Sequence, residues 1–113
     1  MSLKINIRET PNAAILDMSG RVTLGDALGD FRDSIREALA GDRKNILLNL
    51  AEVSYIDSSG LAVLIDAMQR IANYGGKFGM IGLRPAVRKI LEISRLDQVF
   101  RVYPDRQAAT EAT

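Results

Sequence analysis

The chain has 113 residues with 15 basic and 14 acidic side chains, a net charge of +1, and neither cysteine nor histidine. That length suits one domain able to bury about two thirds of the surface its unfolded chain exposes, and 47% hydrophobic residues with 5% aromatics predict an aliphatic core. Balanced charge gives no long-range pull toward nucleic acid or an anionic membrane, while the missing Cys and His exclude disulfides, a Ser-His-Asp or Cys-His nucleophile and an ordinary zinc site.

Leu3, Ile5 and Ile7 alternate with polar residues, so Met1 to Thr10 reads as a half-buried strand. Pro11-Asn12 marks a turn into a second strand, Ala13 to Met18, forming a β-hairpin, and Gly20 breaks that run. From Asp26 the spacing Leu28, Phe31, Ile35, Leu39 predicts a helix, begun at Gly25 or Asp26 and stopped by Gly41. Ile46 to Leu50 is apolar on both faces apart from Asn49, which suits a central strand covered on more than one side. Ala51 to Asp57 carries Val53, Tyr55 and Ile56 and should be packed instead of free.

Asp57-Ser58-Ser59-Gly60 opens a helix with apolar positions Leu61, Leu64, Ile65, Met68, Ile71 and Ala72, ended by Gly75-Gly76. Lys77 to Leu83 reads as a strand in which Gly79 and Gly82 imply close packing. Pro85 suits the first turn of a helix whose inner face is Val87, Ile90, Leu91 and Ser94. Val99 to Tyr103 is a last strand, and a weak terminal helix over Arg106 to Ala112 completes a tail of residues 104–113. The fold class is α/β in the order β-β-α-β-α-β-α-β-α, a mixed sheet of about four to five strands with about four helices, in a single domain spanning 1–113.

No apolar stretch approaches the roughly 20 residues of a spanning helix, and no signal-peptide pattern opens the chain, so a soluble cytoplasmic protein is expected. In parallel sheets the functional surface lies beyond the carboxyl ends of the strands. Gly20 to Gly25 and Asp57 to Gly60 are two such strand-to-helix connections, expected to share one surface. Serines before a helix most often serve as caps. A hydroxyl in a first helical turn also lies among unpaired N–H groups at the positive end of the macrodipole, where a phosphoryl group on Ser58 or Ser59 is well tolerated. Ser58 has no histidine to activate it, and Asp57 is a poor base for a serine hydroxyl because their proton affinities differ so widely. No catalytic residue, cofactor or metal is therefore expected, and an enzyme is the least favoured class.

Asn49-Leu50, then Val53-Ser54-Tyr55-Ile56-Asp57-Ser58-Ser59-Gly60-Leu61, then Gly75-Gly76, Pro85-Ala86-Val87 and Leu91 to Leu96 together carry a family pattern. The chain resembles the STAS domain, and most closely the free-standing anti-sigma-factor antagonists of bacterial partner-switching systems. The resemblance implies a binding module with two partners. A serine kinase that is also the anti-sigma factor binds the unphosphorylated form and phosphorylates Ser58, which releases it; a serine phosphatase restores it. Around Ser58 the expected partner surface comprises Leu24 and Leu61 as apolar contacts and Thr23 and Asp57 as polar rim, with Ser59 and Gly60 beside the acceptor. Nucleic acid and a membrane span are not part of this reading. The alternative is a non-switching STAS protein, acting as a scaffold or as the cytoplasmic subunit of a transporter or signalling complex.

The family commonly places Gly-Glu-(apolar)-Asp after the second strand, where this chain has Gly20-Arg21-Val22-Thr23. Arg21 reverses one charge and Thr23 removes another, read either as ordinary loop variation or as the mark of a different partner. Arg84, Arg88, Lys89 and Arg95 lack interleaved aromatics and read as a solvated face. Gly75 to Gly79 leads into a strand and lacks the Lys-Ser/Thr ending of a P-loop, and no Gly-x-Ser-x-Gly frame surrounds Ser58.

Overall fold

In the computed structural model, which describes residues 3–11, 13–40 and 45–103, the alternation of Ile5 and Ile7 becomes strand β1, Lys4–Glu9. Its apolar positions pack on the core while Lys4, Asn6 and Arg8 are exposed. β1 pairs antiparallel with β2, Ala13–Val22. From there every join is parallel: β2 to β3, Asn45–Ile56; β3 to β4, Phe78–Ile81; and β4 to β5, Arg101–Tyr103. The sheet order is thus β1-β2-β3-β4-β5. Helices α1, Asp26–Ala40, α2, Ser58–Asn73, and α3, Pro85–Ile93, make the crossovers, and a 3-10 turn, Leu96–Gln98, precedes β5.

The three middle strands bury both faces, which explains their near-continuous apolar sequence. Leu16, Leu48 and Met80 join Phe31, Leu64, Ile71 and Leu91 of the helices in the main core. On the opposite face Ile15, Leu47 and Ile81 form a smaller cluster with Tyr103 against it. Asn49, the polar exception in β3, donates from Nδ2 to Asp17 Oδ1 at 2.8 Å and accepts from the Ala51 N–H at 3.2 Å. Asp17 in turn pairs with Arg8.

Several boundaries depart from those the sequence predicts, each for a local reason. Gly20 does not end β2. It adopts φ 115°, and the register to β3 shifts on either side of it, so the strand bulges and continues to Val22. β3 likewise runs on to Ile56, turning the expected packed connection after Leu50 into strand. β4 is shorter than Lys77 to Leu83 because Gly82, at φ 73°, turns the chain away. Gly79 fulfils its expected role: a Cβ there would lie 2.9 Å from the Tyr103 ring and 3.1 Å from Leu47.

α3 buries Val87 and Leu91 and half-buries Ile90, but Ser94 is exposed beyond the helix end instead of facing inward. Val99 is also outside its expected strand. Arg95 in the left-handed region and the 3-10 turn use up those residues, leaving Phe100 buried edge-on to Phe78 at 5.9 Å. The residues Met1, Asn12 and Gly41 and the expected terminal helix over Arg106 to Ala112 lie outside the described residues. Because β2 and β3 both outrun β4, the paired ends Val22 and Ile56 project together at one edge of the sheet.

Candidate functional site

At that projecting edge the chain turns from β3 into α2. Asp57 is extended, with φ −94° and ψ −179°, and is the N-cap; Ser58 is already the first helical residue. The capping role considered for the serines therefore belongs to the carboxylate before them. Asp57 Oδ1 accepts the Gly60 N–H at 2.8 Å, and its backbone oxygen accepts the Leu61 N–H at 2.9 Å, closing the first turn. The other carboxylate oxygen, Oδ2, accepts the Leu24 N–H at 3.0 Å from the connection between β2 and α1. Asp57 N–H donates to the Val22 oxygen at 3.1 Å, carrying the β2–β3 ladder one step further. The two connections thus form one continuous surface, as the sequence predicts, and one side chain joins them.

The Gly60 N–H, then the Leu24 N–H, hold the Asp57 carboxyl below the ordinary aspartate range, and burial opposes them weakly. Gly60 itself is buried. A Cβ on it would stand 2.5 Å from the Val22 oxygen and 2.9 Å from both an Ile56 and a Val22 methyl carbon. It is thus the point where α2 seats on the strand ends, and it offers no side chain or open surface to a partner, contrary to its place in the expected contact set. The remaining members fall into place differently. Ser58 is exposed, and Leu24 is 77% exposed. Thr23, Asp57, Ser59 and Leu61 are half-buried, Leu61 leaning on the core. Leu24 and Ser59 border a common open groove with Leu28 and Ala62.

Arg21, singled out as a charge reversal, lies opposite Tyr55 in the β2–β3 register with its guanidinium carbon 5.3 Å from the ring centroid. Tyr55 is 41% exposed, so a cation held on an aromatic face borders the site. Tyr55 is legible in the sequence as a packed residue; its pairing with Arg21 depends on the bulged register, which no local pattern specifies. Arg84 is drawn off from the basic cluster on α3, donating to the Ala51 oxygen at 2.7 Å. Among the described residues no group of His, Cys, Asp and Glu could hold a metal ion, and no helix is long and apolar enough to cross a membrane.

A five-stranded mixed sheet with three crossover helices among the described residues, and a capped helix terminus with an exposed hydroxyl where two strands end, defines a class of α/β domain. The chain belongs to the STAS-domain family, whose profile matches residues 4–109. An anti-sigma F factor antagonist of Paenibacillus polymyxa is 28% identical over 114 residues, covering 98% of this chain and 96% of that protein. A relative from Thermotoga neapolitana, named for homology to an anti-sigma factor antagonist, is 32% identical over 66 residues, and the match spans 58% of each chain. Among solved structures, the unphosphorylated form of the anti-sigma factor antagonist SpoIIAA superposes with a TM-score of 0.80 at 21% identity, covering 96% of both chains. Its phosphorylated form, from Bacillus, superposes at 0.73 with 20% identity, covering 97% of this chain and all of that one. At such identities these two likenesses speak for the fold.

Two outcomes follow from the geometry. Gly60→Ala should destabilise the protein by about 1–3 kcal/mol in urea unfolding, although alanine is the better helix former, because the Val22 carbonyl is backbone and cannot move aside cheaply. For Asp57 the folded pKa lies below the unfolded one. Its stabilisation is therefore complete above the unfolded aspartate pKa and is lost as pH falls through the depressed folded value. Asp57→Asn should lower the melting temperature at neutral pH, and the gap to wild type should close on acidification. A gap of constant size from neutral to acid pH would contradict the role given to the charge.

Proposed function

We propose that this protein is an anti-sigma-factor antagonist of the partner-switching kind. In this reading its unphosphorylated form binds a serine kinase that doubles as an anti-sigma factor, phosphorylation of Ser58 releases it, and a serine phosphatase resets it. The observation that carries the proposal is the exposed Ser58 hydroxyl on the first turn of a helix whose terminus is fixed by Asp57. An acceptor must enter another enzyme's active site, and Ser58 is open to solvent where Ser59 is half-buried beside the groove. The name of the Paenibacillus relative, and the existence of SpoIIAA in both unphosphorylated and phosphorylated forms, support the same assignment. On this view the protein is a cytoplasmic regulator and acts by binding, with no chemistry of its own.

The partner surface is centred on Leu24, the most exposed large apolar side chain among the described residues, flanked by Thr23, Ser59 and Leu61. An apolar centre, here Leu24 and Leu61, with polar residues at its rim is the usual anatomy of an interface. Phosphate adds about −1.5 to −2 charges at its edge. A resulting loss of about 3–4 kcal/mol would weaken binding a few-hundred-fold, enough to switch partners without refolding.

Incubation with the kinase and ATP, followed by intact-mass and peptide mapping, should place one phosphate on Ser58, and Ser58→Ala should take up none. Because Ser58 is not the cap, that variant should unfold within about 0.5 kcal/mol of wild type and still bind the kinase. Ser58→Glu should also stay within about 1 kcal/mol in stability yet bind far more weakly. Phosphate on Ser59 alone would remove the assignment of the acceptor. Unchanged kinase binding by Ser58→Glu and by the phosphoprotein would favour the scaffold or transporter-subunit reading.

A further inference from the structure

We propose that the groove between α1 and α2 is a binding site for a small amphipathic anion, a short apolar chain bearing a carboxylate or phosphate head. This groove adjoins the one beside Leu24 and Ser59, with Arg32 lining both, but its argument does not rest on the function proposed above. The groove encloses about 470 Å³, within the range of small-molecule sites. Its shape follows from the sequence. Arg32, Ile35, Arg36 and Leu39 follow a helical spacing that puts them along one face of α1, and Val63, Ala67 and Arg70 do the same on α2, with Tyr74 at its C-cap. Ala67 is buried in the seam, and its short side chain leaves a trough where a longer one would fill the space between the helices.

The floor and the rim have opposite character. Ile35, Val63 and Ala67 are buried beneath the trough, Leu39 is half-buried, and Tyr74, 59% exposed, forms an aromatic wall at one end. The charged groups lining the groove are Arg32, Arg36, Arg70 and Asp66, three cations against one anion, a local balance of +2 in a chain of net charge +1. Arg70 is held by Asp66 at 2.9 Å, and Arg36 by Asp33 at 3.3 Å. Arg32 has no ion-pair partner among the described residues. A guanidinium over an apolar trough offers a planar fork of donors to an anionic head, while the chain of the ligand covers the floor. A neutral chain would gain nothing from the hydrated Arg32 guanidinium, and a bare anion would leave the floor wet.

The test uses the intact protein, isotope-labelled, titrated with octanoate, octyl phosphate, 1-octanol and acetate while amide signals are followed. Octanoate, octyl phosphate or both should give saturable shifts confined to the stretch around Ile35, Leu39, Ala67 and Tyr74. Their affinity should exceed that of 1-octanol by about tenfold or more, the worth of a charge-assisted hydrogen bond, and acetate should not saturate. The relative strength of the two amphiphiles tells whether the head is a carboxylate or a phosphate. The double variant Arg32→Gln/Arg70→Gln changes only exposed side chains, so its spectrum should show an intact fold. It should lose most of the anion affinity and keep that for 1-octanol. The proposal is overturned if neither amphiphile saturates, if 1-octanol binds as tightly as the anions, if the shifts lie elsewhere, or if the double variant binds as well as wild type.

Discussion

The two oxygens of the Asp57 carboxylate accept from backbone groups that lie far apart in the chain, and the geometry of the site hangs on that division. A capping side chain ordinarily serves its own helix. Here Oδ1 does so through the Gly60 N–H, while Oδ2 reaches the Leu24 N–H, 33 residues earlier. One residue therefore starts α2 and fixes the connection that enters α1, bringing Leu24 and Ser58 to a single surface. An asparagine offers only one carbonyl oxygen and would have to leave one of the two donors facing an amide nitrogen. The requirement for a charged, two-oxygen acceptor also explains why the carboxyl titrates low, since both hydrogen bonds favour its ionised form.

That arrangement works only because the strands beneath it are long. Val22 lies across from Ile56 in the parallel register, and its carbonyl accepts the Asp57 N–H before the helix begins. Gly60 then passes so close to the same carbonyl that no side chain fits. The four residues of the Asp-Ser-Ser-Gly sequence thus divide their labour. Asp57 caps and straps, Gly60 seats the helix, and these two constraints hold the serines between them at a fixed height above the sheet edge. The half-buried Ser59 turns toward the groove beside Leu24, and Ser58 faces water.

Much of this could be read from the residues in order. The alternation in β1, the helical stripes of α1 and α2, the doubly apolar run in β3 and the proline that opens α3 are local patterns, and each produced the element it implied. What escaped reading was set by contacts between distant segments. Gly20 looks like a strand breaker in isolation, but with β3 alongside it becomes a bulge, because the neighbouring ladder supplies the hydrogen bonds that keep the strand going. Ser94 continues the apolar spacing of α3 by position, yet the helix ends before it. At the site the motif was visible, whereas the identity of the cap was not. Both serine and aspartate are good caps, and the sequence alone does not show that Asp57 takes the role, with its second oxygen engaged by the distant Leu24 N–H. Gly60 was drawn into the contact surface by its place in the motif, and its burial against Val22 has no local signature. The cation–aromatic pair of Arg21 and Tyr55 was invisible for the same reason, since it depends on a register shift.

The cap also changes the physical account of a charged Ser58. An uncapped helix terminus would draw a phosphate in, because several N–H groups would be free to hold it. Here the Gly60 N–H is already given to Asp57, whose own negative charge stands one residue away from Ser58. The macrodipole still favours an anion, by about 0.3–1 kcal/mol, but a neighbouring carboxylate works against it, so the two effects offset each other. A phosphoryl group on the exposed Ser58 would accordingly project outward instead of folding onto the helix. On the function proposed above, its charge would be felt by the partner and not by the domain beneath. At the adjoining edge the Arg21 guanidinium on Tyr55 supplies the opposite charge. A partner would then meet both the Arg21 cation and a Ser58 that is either neutral or phosphorylated, a pattern of charge that selects for partner identity more than for strength of binding.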